Sequence, residues 1–514
     1  MPKLQWLPKH KHAPLDTWDD PWRKRSAKSA DPVLSKSCIS GSSINYWTPC
    51  TSGEGRLCDI FGDLPIWNEH FWMVNLELRE FSAGELSLVE TKAPIYCNVP
   101  ERKHEAAILL HQLLTQHRCL VSVELNEHML NGPRKLISLI RDALRESTAL
   151  RKLKLCLPIR HARVPREIDT HLWPGHFWTI LEEPYVCLDH DFLEGFAEFL
   201  VITRTLTTLD ISQVPIEGTS ADDILLRLKC NATITTLSVN TLIMSPRGSR
   251  QDVVFADYLR ENRTLQSLSV TARATHNLNE HVLWALFASN TLSELNMIQF
   301  RLNTKISQLI ASHLEKNQTL KSFNLVQSKL EPPWYRSDTS LHHMENFGDV
   351  SINIRPWLVV LIENKTLTEL TLNFAVFNLA ECRCFIRALA SNVSLKRVTV
   401  DWLTQSTVAE ICQAVRENGV WDRFFISAPL VIEDPVVALT ECKELHRIKF
   451  DSDIFKPEQE SEQLHATLSL LQSSPHVTSL CLDSEENVSQ SMASDIARQQ
   501  VSLTAPILGG RSQS

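Results

Sequence analysis

The chain has 514 residues, 43% of them hydrophobic and 22% charged, with a formal net charge of −8. These proportions are those of an ordinary globular protein with enough apolar side chain for a large core. Residues 1–36 carry +4 and the remainder −12, so the body of the chain repels phosphate backbones and nucleic acid is not expected as its partner.

Residues 1–56 are rich in Pro, Ser and Lys and read as a largely disordered arm. The arm carries a basic run, Arg23-Lys24-Arg25 with Lys28, and four tryptophans, Trp6, Trp18, Trp22 and Trp47. So many aromatics in a polar segment suggest docking on a partner or capping of whatever follows. The opening MPKLQWLPKHKHAPLD has no apolar stretch of the secretory kind, and no run of about 18 apolar residues is present, so neither secretion nor a membrane span is expected. The 13 cysteines are an odd number and several (Cys119, Cys187, Cys230, Cys412) lie in apolar segments. That pattern fits reduced thiols in a cytoplasmic protein, with the basic run leaving nuclear import open.

Residues 57–485 are dominated by a repeat. One phrase recurs, as NATITTLSV at Asn231, NRTLQSLSV at Asn262, NQTLKSFNL at Asn317, NKTLTELTL at Asn364 and NVSLKRVTV at Asn392. Taking the apolar residue after the Thr or Ser as an anchor gives Leu120, Leu150, Leu206, Ile234, Leu265, Leu292, Leu320, Leu367, Leu395, Trp421, Leu445 and Val477, with a weaker one at Met73. Each anchor opens an L-x-x-L-x-L pattern whose later apolar residues alternate with polar ones, as in a half-buried strand. Six residues before each anchor stands an apolar side chain (Leu114, Leu144, Leu200, Leu228 and so on), and usually another four residues earlier (Ile140, Phe196, Ile224, Phe255). Spacing of four places both on one helix face. Asn or Ser three residues before the anchor suits the end of that helix.

The unit is therefore helix, turn, strand, and neither element can bury its apolar face without stacked neighbours. It resembles the ribonuclease-inhibitor type of leucine-rich repeat, which also forms the arrays of NOD-like receptors and Ran GTPase-activating proteins. The resemblance implies an α/β solenoid of about 12–14 repeats, a horseshoe with parallel strands on the concave face and helices on the convex face. The family places Asn or Cys three residues after the third apolar position. Here that slot holds Val214, Leu242, Arg273, Phe300, Ser328, Ala375 and Leu403, so the turn-tying ladder is expected to be missing and the loops irregular. The period breaks between Leu150 and Leu206, where a degenerate repeat around Trp178–Leu188 is expected. It breaks again near 327–356, which reads as a surface loop containing Trp334 and Tyr335. Residues 486–514 are a polar tail.

No phosphate-binding loop, dinucleotide fingerprint or nucleophile elbow occurs, and HEAAI at His104 is half a zinc-protease motif. No catalysis and no cofactor are expected. The sequons at Asn231, Asn262, Asn317, Asn364 and Asn392 coincide with the helix-end slot, so they read as turn chemistry rather than glycosylation; another lies at Asn487. Cys38, Cys50, Cys58 and His70 carry metal-binding donors but lack the short C-x-x-C pairing. In Cys382-x-Cys384, one thiol is expected to be core.

Outward strand positions should form the concave face. The middle of it is hydroxyl-rich and the C-terminal third carries mixed charge with aromatics. Because interface hot spots favour Trp, Tyr and Arg, a protein ligand is expected on Arg397, Thr399, Asp401, Trp402, Arg423 and Phe425, with Trp334 and Tyr335 of the loop. The expected function is a non-catalytic interaction scaffold or sensor. Regulation of a small GTPase and substrate recognition in a ubiquitin ligase are the alternatives.

Overall fold

A computed structural model describes residues 46–53, 56–91, 100–157, 188–244, 251–273, 280–326, 329–330, 354–374, 377–401, 405–427, 447–451 and 479–483. The strands are β1 (Leu76–Ser82), β2 (Glu85–Glu90), β3 (Leu120–Leu125), β4 (Lys152–Leu155), β5 (Thr208–Asp210), β6 (Thr236–Asn240), β7 (Ser267–Thr271), β8 (Glu294–Ile298), β9 (Arg301–Leu302), β10 (Ser322–Val326), β11 (Lys329–Leu330), β12 (Glu369–Asn373), β13 (Arg397–Asp401), β14 (Phe424–Ser427), β15 (Arg447–Asp451) and β16 (Ser479–Asp483). Twelve of them form one sheet in the order β1-β2-β3-β4-β5-β6-β7-β8-β10-β12-β13-β14; β9 pairs with β11, and β15 with β16. Pairing is parallel throughout the large sheet except between β1 and β2, which are antiparallel. Helices lie between most strands, and successive helices pack on one another, as Arg134–Glu146 does on His190–Ile202 and Leu379–Ser391 on Gln405–Glu417. The chain is an α/β leucine-rich-repeat solenoid.

The apolar periodicity explains the layering. Anchors such as Leu206, Leu265 and Leu367, their strand partners Leu209, Leu268 and Leu370, and the helix residues Leu200, Leu259 and Leu361 are all buried in one continuous core. Each such side chain contributes roughly 1.5–3 kcal/mol when fully buried, and no repeat covers its own, so stability rests on stacking.

The repeated Asn supplies the polar counterpart. Asn231, Asn262, Asn317, Asn364 and Asn392 are all buried at the helix ends. The Asn231 Nδ2 donates to the Leu200 carbonyl at 2.7 Å, Asn317 to Phe287 at 2.8 Å, and Asn392 to Leu361 at 2.7 Å, each reaching the helix of the repeat before. Their Oδ1 atoms accept the amides of the following residues, for example Ile234 at 2.9 Å and Leu395 at 2.7 Å. One side chain thus satisfies groups that helix termination leaves unpaired. These amides are committed within the core, which accounts for the repeated Asn-x-Thr without glycosylation.

Several expectations are corrected. Where the slot after the strand is described, Val214, Leu242 and Phe300 are buried in it, and asparagines at the strand end tie two of the turns, Asn126 and Asn240; Ser328, Ala375 and Leu403 lie outside the described residues. Asn240 donates to the carbonyls of Ser212 and Val214 at 2.9 and 2.7 Å. β4 pairs directly with β5, Leu153 opposite Leu209, so no strand of a hidden repeat lies between them. The intervening residues 158–187, including Trp178, lie outside the described residues. Likewise β10 pairs with β12 across the 327–356 insertion. Finally, Trp421 is 55% exposed and the neighbouring Val420 takes the anchor position at 1%. Gly419, at φ +66°, turns the chain so that Val420 faces inward.

Candidate functional site

Two sites arise from this framework. One is the outward face of the sheet. Side chains at alternate strand positions point away from the core and meet their counterparts 27–47 residues along the chain. Ser267 Oγ donates to Glu294 at 3.0 Å, Asn296 to Ser269 at 3.1 Å, Asn324 to Asn296 at 2.7 Å, and Thr371 to Asn324 at 2.6 Å. β7, β8, β10 and β12 are thereby laced into one polar surface. An aromatic carrying a cation stands towards each end. Lys152 Nζ lies 4.2 Å from the centroid of the Phe81 ring, and the Arg397 guanidinium 5.2 Å from that of Phe425. Arg151 pairs with Glu85 at 2.6 Å beside the first.

Of the residues singled out in the sequence, the fold brings together Arg397, Thr399, Asp401 and Phe425. Thr399 lies in register between Thr371 and Phe425, and Asp401 between Asn373 and Ser427. Arg423 has a different part. Its guanidinium donates to the carbonyls of Leu389 at 2.9 Å and Leu395 at 3.2 Å, and to that of Asn392. It therefore caps the helix Leu379–Ser391, where cations favour the dipole, rather than standing on the sheet face. Trp402, Trp334 and Tyr335 lie outside the described residues. Phe81 and Lys152 were not anticipated as a pair, because Phe81 follows the weakest anchor, Met73.

The second site lies at the N-terminal end. Cys50, Cys58, His117 and Cys119 bring their Sγ and imidazole nitrogen atoms within 4.8 Å of one another. Cys58, His117 and Cys119 are buried, and Cys50 is partly so. Of the four metal-capable residues noted in the sequence, only Cys50 and Cys58 belong to this group. His70 instead bonds the Tyr46 hydroxyl at 3.1 Å and Glu105 at 3.5 Å, and Cys38 lies outside the described residues. The Cys50–Cys58 segment folds back on itself. Gly53 and Arg56 pair as an antiparallel bridge, and the Asp59 amide donates to Thr51 Oγ1 at 2.9 Å. The Cys50 amide reaches the Gln116 carbonyl at 3.4 Å, tying this loop to the end of the helix Pro100–Gln116.

Within the cluster, Cys58 Sγ is 3.5 Å from His117 Nδ1. The contact with the Cys119 thiol, then that with His117, holds Cys58 well below the usual thiol range, against the opposing effect of burial. Cys119 is pushed up by the same contact and by burial. Isolated core thiols behave otherwise. Cys156 and Cys382 are both pushed up to about 12, chiefly by burial. Of the Cys382/Cys384 pair, Cys382 is the core member and Cys384 is exposed.

No family model and no curated protein matches the chain. Among solved structures, that of leiomodin-1 actin-binding site 2 is similar at 19% identity and a TM-score of 0.20, over 26% of this chain and 75% of that one. A TLR13–ssRNA13 complex is similar at 11% identity and a TM-score of 0.30, over 80% of this chain; the alignment spans half of the TLR13 chain. No described helix is long and apolar enough to cross a membrane.

Proposed function

We propose that the chain is a non-catalytic scaffold that binds a protein ligand on the outward face of its sheet, built on repeats of the ribonuclease-inhibitor kind. The observation that carries this reading is the laced polar surface from Ser267 to Thr371 continuing to the Arg397–Phe425 pair. Side chains already held by cross-strand hydrogen bonds lose little further freedom on binding. An Arg stacked on an aromatic is the kind of anchor on which interface energy concentrates. Thr399 and Asp401 share this end of the sheet; Trp402, Trp334 and Tyr335, outside the described residues, are proposed to contribute to binding the same ligand. Quantitative co-purification from cells, comparing the natural chain with an Arg397→Glu, Phe425→Ala double variant, tests the reading. Partners lost from the variant, with its thermal unfolding unchanged, support it. An identical partner set overturns it.

A further inference from the structure

We infer that Cys50, Cys58, His117 and Cys119 form a structural zinc site that fastens the segment before the first helix to the loop entering β3. The donor set is three thiolates and an imidazole, the soft and borderline combination that selects zinc among common divalent ions. The spacing also fits. Zinc–sulfur and zinc–nitrogen bonds of about 2.3 and 2.0 Å in a tetrahedron place neighbouring donors roughly 3.5–3.8 Å apart. The Cys58 Sγ–His117 Nδ1 separation is 3.5 Å, and all four donors lie within 4.8 Å of one another, a mutual arrangement that one ion satisfies with small rotamer changes. A disulfide serves the cluster less well, because joining any two of the three thiols leaves a third beside the buried imidazole.

The surroundings include a further polar contact, with Ser52 Oγ 2.8 Å from Cys50 Sγ. Four protein donors in a largely buried setting leave no position for a substrate, which marks the site as structural rather than catalytic. Binding takes a zinc ion from solution, forms three Zn–S bonds and one Zn–N bond, and releases to solvent the protons of those cysteines that were thiols. The placement supplies a purpose. Cys50 and Cys58 precede the repeats, whereas His117 and Cys119 belong to the turn between the helix Pro100–Gln116 and β3. The ion crosslinks the two, with Trp67 edge-on to the His117 ring at 6.2 Å and Tyr46 packed on Trp67 at 4.9 Å. Terminal repeats of a solenoid need such a cap.

The full chain, produced in zinc-supplemented medium and purified under reducing conditions without a metal-binding tag, is assayed for metal by elemental mass spectrometry. Stoichiometric zinc is expected. Cys50→Ser, which alters the least buried donor and so endangers folding least, should lower zinc to background with circular dichroism retained; Cys156→Ser, a thiol elsewhere in the core, should leave zinc unchanged. Cobalt(II) exchanged into the natural chain should show the visible bands of a tetrahedral thiolate complex, and these should be absent in Cys50→Ser. Background zinc in the natural chain, zinc retained in Cys50→Ser, or a disulfide among Cys50, Cys58 and Cys119 in the freshly isolated protein would each overturn the inference.

Discussion

Asn364 donates through Nδ2 to the carbonyl of Leu314 at 2.6 Å, in the helix of the repeat before, while its Oδ1 accepts the Leu367 amide at 2.8 Å. The same side chain therefore ends one helix, starts one strand and binds two repeats together. Replacing it by Ala strands buried backbone groups, each at about 1–3 kcal/mol. Asn364→Ala should lower unfolding stability in urea by about 2–4 kcal/mol. Thr366→Val, which removes a hydroxyl 3.3 Å from the Asn317 carbonyl, should cost about 1 kcal/mol. Equal effects of the two would refute the ladder as the principal polar tie.

The two arginines of the C-terminal third should part company. Arg423→Ala removes donors to four carbonyls at and after a helix end and should destabilise by about 1–3 kcal/mol while sparing partner binding. Arg397→Ala should alter stability by less than about 0.5 kcal/mol and weaken partner capture. Denaturant titration and co-purification on both variants separate the roles.

The anchor at Val420 makes a register prediction. Val420→Ala should cost on the order of 1–3 kcal/mol, whereas Trp421→Ala, despite deleting the far larger side chain, should stay within about 0.5 kcal/mol. A larger loss at Trp421 would return the anchor role to Trp421.

Stability should fall on mild acidification. His111 and His313 are both held below the ordinary imidazole value, chiefly by burial and, for His313, also by Lys316. With a folded value below the unfolded one, the unfolded chain takes up the proton first. The contribution of these neutral histidines is full above the unfolded value of about 6.5 and is lost as pH falls from there through the lowered folded value. Thermal unfolding followed from pH 7.5 to pH 5.5 (roughly the window set by the imidazole) should show this decline, flattened in a His111→Gln, His313→Gln double variant.

Much of this fold is legible in the sequence because its determinants are local. Leu265, Leu268 and Val270 announce a strand by alternation, and Phe255 with Leu259 a helix face by a spacing of four. β2 escaped because Glu85–Glu90 pairs backwards onto β1 without the Asn-x-Thr/Ser turn that precedes β6, β7, β10, β12 and β13. Arg423 misled for a related reason. Strand alternation assigns it outward, but nothing in alternation reveals that the carbonyls of Leu389, Ala390, Asn392 and Leu395, at a helix end and the turn after it, lie within its reach. The cysteine cluster is the most non-local feature of all. His117 stands 59 residues from Cys58, and their adjacency is produced by the stacking of the first helix on the second repeat. A search for short ligand spacings was bound to select His70, which is near in sequence and engaged elsewhere.

The direct pairing of Leu153 with Leu209, and of Phe323 with Leu370, carries a lesson about tolerance. The chain leaves the sheet, travels far beyond the usual period, and rejoins at the very next strand with side chains still aligned. Doubling the length of such a detour adds only about 0.6 kcal/mol of closure entropy. These two junctions are thus natural grafting points, where a reporter or a foreign domain with neighbouring termini can be spliced in while the stacked repeats on either side keep their alignment.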